Sequence, residues 1–169
     1  MWPPPITCTP LKNLLLDKKS ALAEWQNKRP WQEANYQSQK NYILKKAKSS
    51  LTDSKVWIGD LCTSSAWAPP PMLGVVPCIT KARAAQACGY YLYGQGRFTQ
   101  QLELERLQGV PPNRIMLKDS KVTCPQYRGM LGNAFSVPVA GRVALALLRS
   151  ISTDATLPLL RDPWARGKH

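Results

Sequence analysis

The chain has 169 residues, length for one ordinary domain and hardly for two, and 44% of them are hydrophobic, so a packed core is within reach. Its 23 Lys and Arg against 10 Asp and Glu leave a net charge of +13 and a pI near 9.8, which points to a polyanionic partner. Five scattered cysteines (8, 62, 78, 88, 124) never form a C-x-x-C pair, and the sole histidine is His169. That pattern speaks against a disulfide framework, a zinc site and a histidine general base, and for a reducing compartment.

The basic excess is uneven: residues 1–55 hold ten cations against four anions, 56–96 hold two against one, and 97–169 hold eleven against five. No charged-then-apolar leader opens the chain, and no apolar run approaches the roughly 18–20 residues needed to span a bilayer. The sequence therefore reads as soluble and intracellular with no membrane partner, nuclear in a eukaryote and cytoplasmic in a bacterium.

In chain order, Met1 to Pro10 carries four prolines and no periodicity and reads as an extended lead. Leu11, Leu14, Leu15, Leu22 and Trp25 recur at helical spacing until Pro30 stops that helix. A second helix is expected from Pro30-Trp31 to about Leu51. It would gather Tyr36, Ile43, Ala47 and Leu51 on one face, with Lys40, Lys45, Lys46 and Lys48 elsewhere on it.

Lys55 to Gly59 reads as a short strand, and 62–72 as a loop, because Pro69, Pro70 and Pro71 remove ladder donors. Val75 to Thr80 is a β-branched apolar run of strand character. Gly89 to Tyr93 is a third strand candidate, ended by a turn at Gly94-Gln95-Gly96. A helix comes next from Thr99 or Gln100 to Leu107, with Gly109 as its C′ residue and Pro111-Pro112 as its stop.

Residues 110–125 read as a basic loop (Arg114, Lys118, Lys121), and Gly129 to Asn133 as a Gly-rich turn. Ser136 is then a fitting N-cap, and Pro138 lies in the first turn of a helix over 137–151. That helix is apolar at Val139, Ala140, Val143, Ala144, Leu147, Leu148 and Ile151, with only Arg142 and Arg149 as a thin polar stripe. So apolar a helix wants a partner on most of its sides. Residues 152–169 read as a loose, Pro-interrupted tail, and no internal repeat is present. The expected class is α+β: two amino-terminal helices, a small antiparallel sheet with long loops, then carboxy-terminal helices.

G-N-A-F-S-V-P-V-A (Gly132 to Ala140) resembles the last conserved block of the DNA cytosine-carbon-5 methyltransferases. Upstream, G-R-F-T-Q-Q-L-E-L-E-R-L-Q-G-V-P (Gly96 to Pro111) resembles the block before it, R-x-L-T-x-x-E-x-x-R-L-Q-G-F-P. Here Thr99 stands four before Glu103, where the family has three, and Gln100 takes the usual cap position. V-P-C-I-T-K-A-R (Val76 to Arg83) resembles, more loosely, the end of the target-recognition region.

The resemblance implies that Gly132, Asn133 and Ala134 touch the methionine end of S-adenosyl-L-methionine. It implies that Arg97, Glu103 and Arg106 brace the small domain, with Gly109 and Pro111 in its closing turn. It also implies that Thr80 meets a DNA phosphate with Lys81 and Arg83 as positioning cations.

The family's Pro-Cys-Gln loop, Glu-Asn-Val strand end and Phe-x-Gly-x-Gly turn do not occur in this sequence, so its catalytic α/β sheet is expected to be missing. Cys78 comes after a proline but precedes Ile79 rather than glutamine, and reads as a small apolar residue. No catalytic residue is assigned.

The resulting organisation is a basic helical extension (1–55), a recognition-domain remnant (56–96), the last two blocks (97–151) and a tail (152–169). The expected function is the carboxy-terminal portion of a DNA cytosine-5 methyltransferase, inert alone, with DNA and a complementing catalytic chain as partners. It would be a truncated product, half of a split enzyme or a degenerate relative. A basic DNA-binding module without enzymology is the alternative, and an unrelated helical interaction protein, built on residues 11–51, is a third reading.

Overall fold

A computed structural model describes residues 11–16, 29–51, 55–85, 89–111, 115 and 121–151. The expectations for the amino-terminal lead, most of the first helix, much of the 110–125 loop and the tail fall outside them. The fold is α+β. A four-stranded antiparallel sheet of order β2-β1-β3-β4 is built from β1 (Trp57–Gly59), β2 (Met72–Leu73), β3 (Tyr91–Leu92) and β4 (Arg97–Phe98). Around it lie α1 (Leu11–Leu14), α2 (Pro30–Asn41), α3 (Lys81–Ala85), α4 (Gln101–Leu107), α5 (Cys124–Asn133) and α6 (Val137–Ile151). No single helix among the described residues is long and apolar enough to cross a membrane.

Strand alternation explains why this small sheet is covered on both faces. Trp57, Tyr91 and Tyr93 point to one side, where they meet Ile43 and Leu61. Ile58, Tyr90 and Leu92 point to the other, where Leu15 packs with half-buried Val76 and Ile79. A third cluster, Ala84, Leu104, Tyr127 and Leu131, joins α3, α4 and α5. The core is thus centred on the sheet, and α2 covers one of its faces.

The second helix keeps its expected start at Pro30 but ends early. Its α-helical part stops at Asn41, a wider π turn spans Tyr42–Lys46, and Lys48 reverses the chain at φ 46°. The extra residue of the π turn carries Ile43 into the core, where it is fully buried. The buried residues of α2 itself are Gln32, Asn35 and Gln39, one polar line at i, i+3, i+7. Each amide has a structural partner. Gln32 Oε1 accepts from Arg29 N (3.0 Å) and caps the helix. Asn35 Nδ2 donates to the carbonyls of Leu61 (3.1 Å) and Thr63 (2.7 Å), and Gln39 Nε2 to those of Asp60 (3.0 Å) and Pro69 (3.1 Å). Tyr93 Oη donates to Gln39 Oε1 (3.0 Å).

The tyrosines are core residues. Tyr36 stacks on Tyr93 at 5.6 Å, and Tyr91 meets Tyr93 edge-on at 5.1 Å. Burial pushes the hydroxyl of Tyr91 up to about 12 and raises that of Tyr93, and Tyr90 rises to about 12 through burial and the nearby Asp60 carboxylate. These groups stay neutral in the fold while their unfolded counterparts ionise near 10, so their contribution is complete below pH 10 and is lost as pH rises toward 12. The urea midpoint is accordingly expected to fall between pH 9 and pH 11, with tyrosinate absorbance at 295 nm appearing together with unfolding. A midpoint unchanged at pH 11 would contradict the burial of these hydroxyls.

Three strand expectations fare differently. Lys55 to Gly59 supplies β1, and Gly89 to Tyr93 supplies β3. Val75 to Thr80 forms no strand: Met72–Leu73 takes the edge position instead, pairing Ile58 with Met72 and Trp57 with Leu73. Gly74 then turns the chain at φ 69°, its N–H bonded to Val56 O at 2.8 Å, and Pro77 interrupts the apolar run beyond it. The turn at 93–96 does close a hairpin, through Gly96 at φ 71°, and its second arm is β4, which alternation over two residues cannot announce.

The Gly-rich turn expected at Gly129 to Asn133 is the second half of helix α5. Thr123 caps that helix: its Oγ1 accepts from Gln126 N (3.4 Å), and Gln126 Oε1 accepts from Thr123 N (2.9 Å), with Pro125 in the first turn. Helix α6 starts as expected after Ser136, whose carbonyl accepts from Ala140 N (2.9 Å). None of its residues is buried, and Ile151, at 74% exposed, is its most open apolar side chain.

Candidate functional site

The residues that the methyltransferase resemblance singles out lie on α3, β4, α4 and α5 and in the segments next to them. Arg97, on β4, and Glu103, in the first turn of α4, form a two-pronged pair, Nη1 to Oε2 at 2.8 Å and Nη2 to Oε1 at 2.7 Å. Both are buried, the Glu103 carboxylate completely. Glu103 also accepts from Gln100 N (2.7 Å), so it caps its own helix from the third position. The pair then reaches the amino-terminal turn: Leu16 N donates to Glu103 Oε1 at 2.8 Å, and Arg97 Nη2 donates to Leu16 O at 3.1 Å. Arg106 Nη1 adds a bond to Leu14 O at 3.4 Å. The three residues expected to brace the small domain thus hold the backbone of Leu14 to Leu16.

Gln108, to which sequence reasoning gave no role, joins the two motif blocks. Its Nε2 donates to Leu131 O (2.9 Å) and Ala134 O (3.4 Å), while its carbonyl accepts from Val137 N (2.8 Å). Next to it Gly109 turns at φ 71°, where a Cβ would overlap Pro138 Cδ. The available signal was its place in the quoted L-Q-G run, directly before the helix-ending glycine.

Gly132 packs on the chain rather than facing open space: a Cβ on it would overlap the carbonyl of Thr80 and the amide of Lys81. The close approach expected toward a cofactor is made toward α3. Asn133 is exposed at the end of α5, and Ala134 is exposed with its carbonyl held by Gln108. An open groove of about 470 Å³ runs between α3 and α5, bounded by Lys81, Gln126, Gly129, Met130 and Asn133. It brings together one residue expected at DNA and one expected at the cofactor.

Thr80 and Lys81 are exposed, and Thr80 Oγ1 accepts from Arg83 N at 3.4 Å. Arg83 is engaged internally. Its Nε pairs with Asp60 Oδ2 at 2.6 Å, Nη1 donates to Cys62 O at 3.2 Å, and Nη2 bonds Thr63 Oγ1. Asp60 also accepts from Cys62 N (2.9 Å) and Thr63 Oγ1 (2.7 Å). The guanidinium therefore fixes the loop after β1, and Lys81 is the cation of the three candidates that faces solvent.

Cys78 is exposed and free rather than a filler of the core, and its carbonyl accepts from Tyr90 Oη at 2.5 Å. Cys124 is likewise exposed, at the start of α5. In comparisons with known proteins, no family model, no curated protein and no solved structure matches this chain.

Proposed function

We propose that the chain is the carboxy-terminal portion of a DNA cytosine-5 methyltransferase. It binds DNA through Thr80 and Lys81, contributes Asn133 and Ala134 to a shared S-adenosyl-L-methionine site, and lacks the nucleophile. The observation that carries the reading is Gln108, whose side chain and carbonyl tie the first motif block to the second at Ala134 and Val137, and to Leu131 just before it. Two stretches picked out by resemblance alone are thereby one structural unit. The outward apolar face of α6 adds support, because a catalytic chain seated there would bury Val139, Val143 and Leu147.

Tritiated-methyl transfer to cytosine-containing duplex DNA tests this, first with the chain alone and then with the amino-terminal half of a related enzyme. The expected result is no incorporation alone and incorporation on mixing. Asn133→Asp should abolish the latter, because it sets a carboxylate against the cofactor's own. Incorporation by the chain alone would overturn the non-catalytic assignment. Silence in both, with DNA still retained on a filter, would favour a basic DNA-binding module, the reading supported by the +13 charge.

A further inference from the structure

The loop after β1 is held at both ends and displays a tryptophan between them. Asn35 grips the carbonyls of Leu61 and Thr63, and Gln39 grips those of Asp60 and Pro69. Both amides are buried on α2, which packs against this loop. Between the clamped carbonyls the chain makes one 3₁₀ turn, Ser65–Trp67, and Pro69, Pro70 and Pro71 stiffen the exit. At the tip Trp67 is 81% exposed. A ring this large is not left in water by looseness of the backbone, because the backbone on either side is fixed.

The surroundings are cationic. Ala68 to Pro71 form one wall of a groove of about 340 Å³ whose other wall is Ser38, Tyr42 and Lys46. Lys46 Nζ lies 5.8 Å from the centre of the Tyr42 ring, and Lys40 Nζ the same distance from that of Tyr36. Residues 29–51 carry Arg29, Lys40, Lys45, Lys46 and Lys48 against the single acid Glu33, and residues 61–75 carry no charge. A rigid aromatic face one residue from a groove walled by Lys46, on a segment with five cations and one acid, matches a ligand that offers flat apolar faces between regularly spaced anions. Duplex DNA offers the anions but keeps its base faces stacked. A single strand offers both.

We propose that Trp67 and the Lys40–Lys48 segment form a contact for single-stranded nucleic acid. Trp67 stacks on an unpaired base, and Lys45 and Lys46 neutralise the phosphates that flank it. The site lies outside the two motif blocks and does not rest on the methyltransferase reading. Its clamped loop loses little freedom on binding, which favours affinity.

Fluorescence anisotropy with labelled twelve-residue oligothymidylate, and with its duplex with oligoadenylate, at 50 and 200 mM salt, tests the proposal. Trp67→Ala should weaken single-strand binding by about tenfold, within the range for one stacked base, and leave duplex binding within about twofold. Trp67→Phe should restore most of the loss, because the ring face is what binds, and this keeps the test independent of any effect of the alanine on folding. Replacing both Lys45 and Lys46 by alanine should lower the single-strand salt slope by about 1.4, two phosphates' worth. Unchanged single-strand affinity in Trp67→Ala, or an equal loss on single and double strands, would overturn the proposal. So would failure of the wild-type chain to bind the oligonucleotide, which would leave Trp67 as an anchor for a protein partner.

Discussion

Replacing Glu103 by alanine is expected to lower the stability of this protein by about 3–5 kcal/mol, enough to bring a marginal domain close to its unfolding midpoint. The loss is large because the carboxylate is wholly buried and holds four donors: both terminal nitrogens of Arg97 and the amides of Gln100 and Leu16. Alanine would leave the Arg97 guanidinium as an uncompensated charge in the interior. It would also release the α4 cap and the amino-terminal turn together. Glu103→Gln separates these contributions. It keeps an acceptor for one amide but sets an NH₂ against a guanidinium, so a loss between that of alanine and zero is expected. The measurement is the urea midpoint by circular dichroism. An alanine variant within about 1 kcal/mol of the wild type would be the loss of an ordinary hydrogen bond and would contradict a fully buried pair.

Gly132→Ala is the second substitution expected to have a large effect, although it adds one methyl group. That methyl would occupy the space of the Thr80 carbonyl and the Lys81 amide, which are backbone and cannot rotate aside. Helices α3 and α5 would have to separate, which disturbs the packing of Ala84 against Tyr127 and Leu131. Overpacking of this kind typically costs about 1–3 kcal/mol. Helix propensity pulls the other way, since alanine is favoured over glycine by about 1 kcal/mol in a helix interior. A net loss of stability would show that the overlap prevails. The same separation would widen the groove between Lys81 and Asn133. Weaker DNA retention by Gly132→Ala at temperatures where it remains folded would tie that groove to binding. A variant more stable than the wild type by the full propensity gain of about 1 kcal/mol would mean that α3 and α5 do not meet at Gly132.

Much of the secondary structure was legible where a single residue type dictates the backbone. Pro30 begins α2, Gly109 ends α4 and Ser136 precedes α6, each where sequence placed it. The errors arose where two signals competed. Gly129 and Gly132 suggested a turn, yet the Thr123–Gln126 capping box starts a helix that runs through both, and Gly132 serves close packing on α3 rather than flexibility. Val75 to Thr80 has the β-branched character of a strand, but Pro77 and the turn at Gly74 give the edge to Met72–Leu73. On α2 and the π turn after it, periodicity found Tyr36 and Ile43 but missed the buried amides of Asn35 and Gln39, because polar side chains count as surface until the carbonyls they serve are known. The candidate site divides similarly. Resemblance located Arg97, Glu103 and Arg106, whose bonds to Leu14 and Leu16 span more than 80 residues and have no local signature. Arg83 looked like a surface cation until Asp60, 23 positions away, was seen to hold it.

The attachment of Leu14 to Leu16 constrains the order of events during synthesis. These residues receive their partners from Arg97, Glu103 and Arg106, none of which exists when the turn leaves the ribosome. At about 5–20 residues per second, some 5–20 s of synthesis separate the turn from the groups that receive it. During most of that interval Leu15, which ends in the second core cluster with Ile58, Tyr90 and Leu92, lacks the last two of these partners. The sheet's third and fourth strands emerge only shortly before α4, so the face that takes Leu15 and the ion pair that fixes Leu16 become available almost together. The turn at Leu14 to Leu16 is thus seated late, and agents that capture exposed leucines on nascent chains have a long opportunity there.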